Sequence, residues 1–166
     1  KAELNRVLSK RLKNLGITTL LFMKNLELIE YRIVWEGKEE TGEYLLDKTT
    51  VNDHCTVVSA LGSSNEQEES ISYVTFSRPI ETSQTTNRTI DIAFPVKLDG
   101  NGGYDFQKTK YPFISVYFPT ETESKLNFIV QGPYRTTPNR SSVPADDAEN
   151  LSLAKQTLKL YRDSLL

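Results

Sequence analysis

From residue 17 to residue 131 the chain is a succession of short apolar or alternating runs, and most gaps between them are too short to hold a helix. Parallel neighbours need a crossover of a dozen or more residues, usually helical, so strands joined this way are antiparallel. Helical spacing sustained over several turns is confined to the two ends. The pattern predicts helix, about seven or eight strands, helix. That is an α+β fold in which a mostly antiparallel mixed sheet is packed by helices.

Residues 2–15 place Leu4, Val7, Leu8, Leu12 and Leu15 at helical spacing, with Gly16 as the stop. Arg6, Lys10, Arg11 and Lys13 surround that stripe, which suits a helix packed on a sheet with a wet basic face. Ile17–Phe22 and Leu28–Val34 read as strands joined through residues 23–26. Tyr44–Leu46 reads as an edge strand, followed by strands at Cys55–Leu61, Ser70–Phe76, Thr89–Leu98, Lys108–Phe118 and Lys125–Gln131. Pro95 demands an edge or a bulge in its strand. Gly62–Glu69 and residues 77–88 read as polar loops, and Thr120–Ser124 as a polar turn. Over 147–165, Leu151, Ala154, Leu158, Tyr161 and Leu165 recur at 3-4-3-4 spacing and predict one buried helix face. Asp146 and Asp147 stand near its start, where carboxylates suit the positive end of the helix.

Composition narrows the chemistry. The 166 residues carry 20 basic and 22 acidic side chains, a net charge of −2. No strong global field draws in nucleic acid or an anionic membrane, and neither is expected as a partner. One cysteine, Cys55, forms no intrachain disulfide, which fits a reducing compartment and a cytoplasmic location. Cys55 with one histidine, His54, does not make an ordinary zinc site. Adjacent side chains in a strand face opposite ways, which argues against a Cys–His nucleophile. No apolar run reaches the ~18 residues of a membrane-spanning helix. The chain begins at Lys1, with no signal-like segment after it, so it reads as a piece of a longer protein. Asp99-Gly100-Asn101-Gly102-Gly103 looks like a phosphate loop. It has no lysine at the Walker spacing and precedes no helix, so it reads as a turn.

One constellation remains. Gln131-Gly132-Pro133-Tyr134-Arg135-Thr136-Thr137-Pro138-Asn139-Arg140-Ser141 leaves an apolar strand and leads into the last helix. Two prolines stiffen a loop that carries two guanidinium groups among polar side chains. A guanidinium so placed can grip a terminal phosphate bidentately and stabilise charge as a phosphoryl group leaves. The plain alternative is a loop whose arginines cap carbonyls or pair with Asp146 and Asp147.

Leu12–Tyr31 (LKNLGITTLLFMKNLELIEY) resembles the helix-then-strand end of an Hsp90-type, or GHKL, ATP-binding domain. Phe118-Pro119-Thr120 followed by Phe128–Val143 resembles the middle segment of Hsp90-like and sacsin-like ATPases. The resemblance implies that residues 1–35 end an upstream ATP-binding domain and that 36–166 form a middle, or transducer, domain like the second domain of ribosomal protein S5. It implies that an arginine on the loop before the last helix reaches the γ-phosphate of ATP. Arg140, after Asn139, matches that loop best, and Arg135 competes with it. Gln131 and Asn139 are the implied nucleotide contacts. The catalytic Glu and Asn helix, the Asp-x-Gly-x-Gly turn and the glycine lid of that family are not found in the sequence. The fragment alone is therefore expected to bind no cofactor and to be inactive, with ATP and Mg²⁺ held by the upstream domain. A client protein or a second copy is a further implied partner. Two other classes stay open. One is a β-rich protein-interaction domain, using an edge strand or the basic face of residues 6–13. The other is a small self-sufficient hydrolase, for which the sequence offers no nucleophile and base.

Overall fold

A computed structural model describes residues 2–13, 16–23, 25–64, 67–82, 85–110 and 112–165. The elements are α1 (Ala2–Lys13), β1 (Leu28–Trp35), β2 (Lys38–Asn52), β3 (Cys55–Ser64), β4 (Gln67–Thr82), β5 (Thr85–Leu98), β6 (Tyr104–Phe106), β7 (Phe113–Val116), β8 (Phe118–Glu123), β9 (Ile129–Gln131) and α2 (Ala148–Ser164). Hydrogen bonding among the described strands runs β1-β2-β3-β4-β5-β9-β7-β8, with β6 added to β5. The β1–β2, β5–β6, β5–β9 and β7–β8 pairs are antiparallel, and β7–β9 is parallel. The fold is therefore α+β with a dominant, mostly antiparallel sheet packed by helices.

Several boundaries depart from the sequence reading. Ile17–Leu20 is a turn of 3₁₀ helix, not a strand; Gly16, at φ 74°, enters it, and Ile17, Thr19 and Leu20 are buried. A short apolar run serves a buried helical turn as well as a strand, and periodicity does not separate them. The polar stretches 62–69 and 77–88 are largely strand, because β3, β4 and β5 run on as long ribbons through Ser- and Thr-rich sequence. Residues 65, 66, 83 and 84 lie outside the described residues. Tyr44–Leu46 lies inside β2, with β1 on one side and β3 on the other, so it is not an edge strand. Thr120–Glu123 belongs to β8 rather than to a turn, and the strand expected from Lys125 starts at Ile129. Pro95 does not end β5. It falls where β5 changes partner, from β9 at Asp91–Ala93 to β6 at Val96–Leu98.

The chain divides into two compact units, residues 1–48 with 58–72 and residues 49–57 with 73–166. In the first, Tyr31 and Tyr44 stack at 6.4 Å, and Tyr44 Oη donates to the Leu12 carbonyl at 2.7 Å. Ser9 is buried and bonds Glu40. Of the expected apolar stripe of α1, Leu4, Val7 and Leu8 are exposed and Leu12 is half-buried. Leu15 and the side chains of Arg6, Arg11 and Lys13 lie outside the described residues.

The second unit holds a core of Ile80, Ile90, Ile92, Phe128, Val130 and Leu160 among others. Phe128 clusters with Phe94, at 4.9 Å, and Tyr161, at 5.0 Å, which also meet each other at 6.2 Å. Here α2 corrects the sequence reading by one residue. Asn150, Leu153, Thr157 and Leu160 are its buried positions. Leu151, Leu158 and Leu165 are 50%, 59% and 66% exposed, and Tyr161 is half-buried. Leu151, Ala154 and Leu158 line an open apolar cavity of about 370 Å³ with Ile114, Leu126 and Val143.

Candidate functional site

The loop between β9 and α2 is built from both ends. At its start Gly132 N–H donates to the Ser115 carbonyl at 3.2 Å. A side chain at Gly132 would put Cβ 2.8 Å from the Tyr134 ring, so the close turn needs glycine. The Tyr134 ring is buried in the core, and its hydroxyl meets Thr157 Oγ1 at 2.8 Å. Burial pushes the Tyr134 phenol above its ordinary pKa, against a smaller opposing effect of that hydrogen bond. At the far end Asp147 caps α2 by accepting from the Glu149 and Asn150 amides. The buried Asn150 side chain then closes the loop. Its Oδ1 accepts from Arg135 N–H at 2.8 Å, and its Nδ2 donates to the carbonyls of Arg135 at 3.0 Å and Pro144 at 2.9 Å.

Inside the loop a turn from Thr137 to Arg140 is closed by Arg140 N–H on the Thr137 carbonyl at 2.8 Å. Asn139 Oδ1 accepts from Thr137 Oγ1 at 2.7 Å, Ser141 Oγ at 3.0 Å and Ser141 N–H at 3.3 Å. In this structure Asn139 organises the turn. Ser141 and Val143 tie the turn to β8, through Glu121 N–H on the Ser141 carbonyl and Val143 N–H on Thr122 Oγ1.

The two arginines have different partners. Arg135 is 61% exposed at its side chain, with Nη2 2.7 Å from Glu149 Oε1 and Nη1 3.6 Å from Asp147 Oδ2. Arg140 sits at φ 60°, where a non-glycine residue is uncommon. Its Nη2 donates to the Val116 carbonyl at 2.8 Å, and among the described residues it pairs with no carboxylate. Gln131 is buried, and its Oε1 accepts from Tyr117 N–H at 3.0 Å. Val116 C=O and Tyr117 N–H belong to one peptide unit. The structure thus brings Gln131 and Arg140 to opposite sides of one peptide, at a corner where Tyr117 takes φ 67°. Arg135 stands apart from that peptide, bonded to α2.

Two contributors were missed by sequence reasoning. Asn150 is a polar residue on the buried helix face, visible only if the face is framed as 150, 153, 157 and 160. The Val116–Tyr117 peptide carries no sequence signal at all. Elsewhere His54 is exposed in the β2–β3 turn, and Cys55 is half-buried with a thiol pKa raised by burial. Among the described residues no group of His, Cys, Asp or Glu could hold a metal, and no helix is long and apolar enough to cross a membrane. Asp99–Gly103 is a tight turn, with Asp99 Oδ1 accepting from the Asn101 and Gly103 amides. No family model, curated protein or solved structure matches the chain.

Proposed function

We propose that this chain is the transducer of an Hsp90-like ATPase of the GHKL class, whose Arg140 meets the γ-phosphate of ATP held by a domain upstream in the longer protein. The finer likeness to the second domain of ribosomal protein S5 belongs to the same proposal, as does a cytoplasmic setting. One observation carries it: Arg140 is held on a pinned loop by a neutral carbonyl, not by a carboxylate. Its positive charge is therefore uncompensated by a direct ion pair among the described residues. A guanidinium has five N–H donors, and one of them reaches Val116, so an edge of the fork suits a phosphate. The residues fit the group on that ground. Arg135 fits less well, because a phosphate would have to displace Glu149 and Asp147.

ATP with its Mg²⁺ would supply the phosphoryl group and the negative charge that spreads as it leaves. The chain's own part is positioning and charge. Asn150 and Asp147 fix the loop on α2, Asn139 shapes the turn, and Val116 holds the guanidinium before any phosphate arrives. Release of the phosphate removes the anion that Arg140 would bind, so the loop's attachment to the nucleotide side depends on the nucleotide state. A client protein or a second copy would respond to that change.

The test is steady-state ATP turnover by the longer protein with Arg140→Ala. A guanidinium that stabilises transferring phosphoryl charge is worth about 10³–10⁵ in kcat where it has been removed, so a loss of at least ~100-fold is expected, with ATP affinity kept. Unchanged kcat refutes the proposal. A second reading rests on β1, which stands at one end of the order of the described strands, with Val34 exposed. An extended peptide could add to it. That reading expects partner binding that neither nucleotide nor Arg140→Ala alters.

A further inference from the structure

We infer that Gln131 is a positioning residue for Arg140, acting through the single peptide between Val116 and Tyr117. The inference rests on the transducer reading for its consequence in turnover, but not for its structural content.

Gln131 lies at the end of β9, is 4% exposed, and is bonded to backbone rather than turned to solvent. Its Oε1 takes the Tyr117 N–H at 3.0 Å, and Arg140 Nη2 gives a hydrogen to the Val116 carbonyl at 2.8 Å. A peptide whose carbonyl accepts becomes a better N–H donor, and the reverse also holds, so the two bonds strengthen each other. The two peptides before it are fixed separately. Gly132 N–H holds the Ser115 carbonyl on the preceding unit, and Thr120 Oγ1 holds the Ile114 carbonyl at 2.7 Å. Tyr117 must keep φ 67° for its N–H to face β9, a conformation that a side chain disfavours and that needs a hold. Gln131 supplies that hold. Without it the 116–117 peptide can rotate, and the carbonyl that aims the Arg140 fork rotates with it. Gln131 thus reaches Arg140 without touching it.

The test has two arms. In this chain alone, without nucleotide, hydrogen exchange at the Tyr117 amide and the NMR order parameter of the Arg140 Nε–H are compared in wild type, Gln131→Leu, Gln131→Glu and Arg140→Ala. Gln131→Leu removes the acceptor, and Gln131→Glu keeps one. Loss of a single hydrogen bond corresponds to about tenfold in exchange. Gln131→Leu is expected to speed Tyr117 exchange by about that factor and to lower Arg140 order, with Gln131→Glu restoring both. Faster Tyr117 exchange with Arg140 order unchanged overturns the inference. Should Gln131→Leu not fold, Arg140→Ala tests the same coupling from an exposed side chain: Tyr117 exchange must rise there too, and no change overturns it.

In the longer ATPase, Gln131→Leu is expected to lower kcat by about tenfold, with KM for ATP within about twofold. It should add nothing to Arg140→Ala, since the two act as one unit. If Arg140→Ala slows turnover and Gln131→Leu multiplies that loss, the transducer reading stands and the positioning inference fails. If the first arm holds while Arg140→Ala leaves turnover unchanged, the positioning stands and the transducer reading fails.

Discussion

Replacing Asn150 by Asp exchanges an NH₂ for an oxygen at the point where α2 grips the loop. The Asn150 side chain is buried and makes three bonds to that loop. The bond from Arg135 N–H survives, because an oxygen still accepts it. The two bonds to the Arg135 and Pro144 carbonyls, at 3.0 and 2.9 Å, are lost. A carboxylate then faces two carbonyl oxygens. Each lost bond is worth about 0.5–1.5 kcal/mol net, and a buried acceptor left unpaired costs about 1–3 kcal/mol. Both carbonyls sit on a surface loop, where water recovers part of that, so about 3 kcal/mol is expected at pH 7. The pH dependence has a definite sign. Burial and the two carbonyls raise the folded-state pKa of the introduced carboxyl above its unfolded value of about 3.9. The protonated form is favoured in the folded chain and donates one hydrogen bond. The deficit against wild type is therefore full at pH 7 and shrinks as pH falls through the raised folded value towards ~4. Urea unfolding followed by circular dichroism at pH 7 and pH 4.5 measures it, with an unchanged m-value required for the comparison. A deficit under about 1 kcal/mol at pH 7, or one that does not narrow at the lower pH, would mean that Asn150 does not staple the loop.

The assignment of the α2 face is tested by a pair of substitutions: Leu153→Ala should cost about 2–4 kcal/mol, and Leu151→Ala less than about 1 kcal/mol, in the same urea titration. Equal losses would restore the face read from apolar spacing. Gly132→Ala should cost about 1–3 kcal/mol, because its Cβ would lie 2.8 Å from Tyr134 Cε2 and the ring would have to leave Thr157. A neutral result in thermal unfolding would show that the Tyr134 ring yields freely.

The α2 error shows what apolar periodicity does not read. Two interleaved sets of positions share nearly the same 3-4 spacing, 151-154-158-161-165 and 150-153-157-160. The first has more apolar residues, and the second is buried. What decides is polar satisfaction. Asn150 is inside because it bonds the loop, and Thr157 because its Oγ1 meets Tyr134 Oη and donates to the Leu153 carbonyl at 3.0 Å. Buried polar groups of this kind need partners, and those partners come from a loop that spacing does not place. The strands failed differently. Alternation marked Thr89–Leu98 as a strand, where Ile90, Ile92 and Val96 are buried, although Ala93 and Pro95 on the other face are buried as well. The ends of β3 and β4 are polar and carry no such alternation, so they read as loop.

For the candidate loop, the sequence gives the position but not the partners of its side chains. Prolines, a strand exit and a following helix marked residues 131–141 as a loop, and the four candidate residues were drawn from it. On sequence alone Arg140 and Arg135 were close to equivalent: two guanidinium groups five positions apart on one stiff loop. Their partners separate them, and these come from different parts of the chain. Arg135 finds Glu149 and Asp147 on the neighbouring helix start, an exposed ion-pair cluster of the kind that contributes about 1 kcal/mol or less. Arg140 finds the Val116 carbonyl, 24 residues back, and Gln131 finds the other side of that peptide, 14 residues back. A long side chain already anchored has lost part of its rotamer freedom, up to about 2 kcal/mol, before an anion arrives. Because its anchor is uncharged, that ordering leaves the positive charge available. The plain alternative, arginines that cap carbonyls or pair with carboxylates, is therefore not opposed to the phosphate reading at Arg140. A carbonyl cap is what would hold such a guanidinium ready, while a carboxylate pair is what would occupy it.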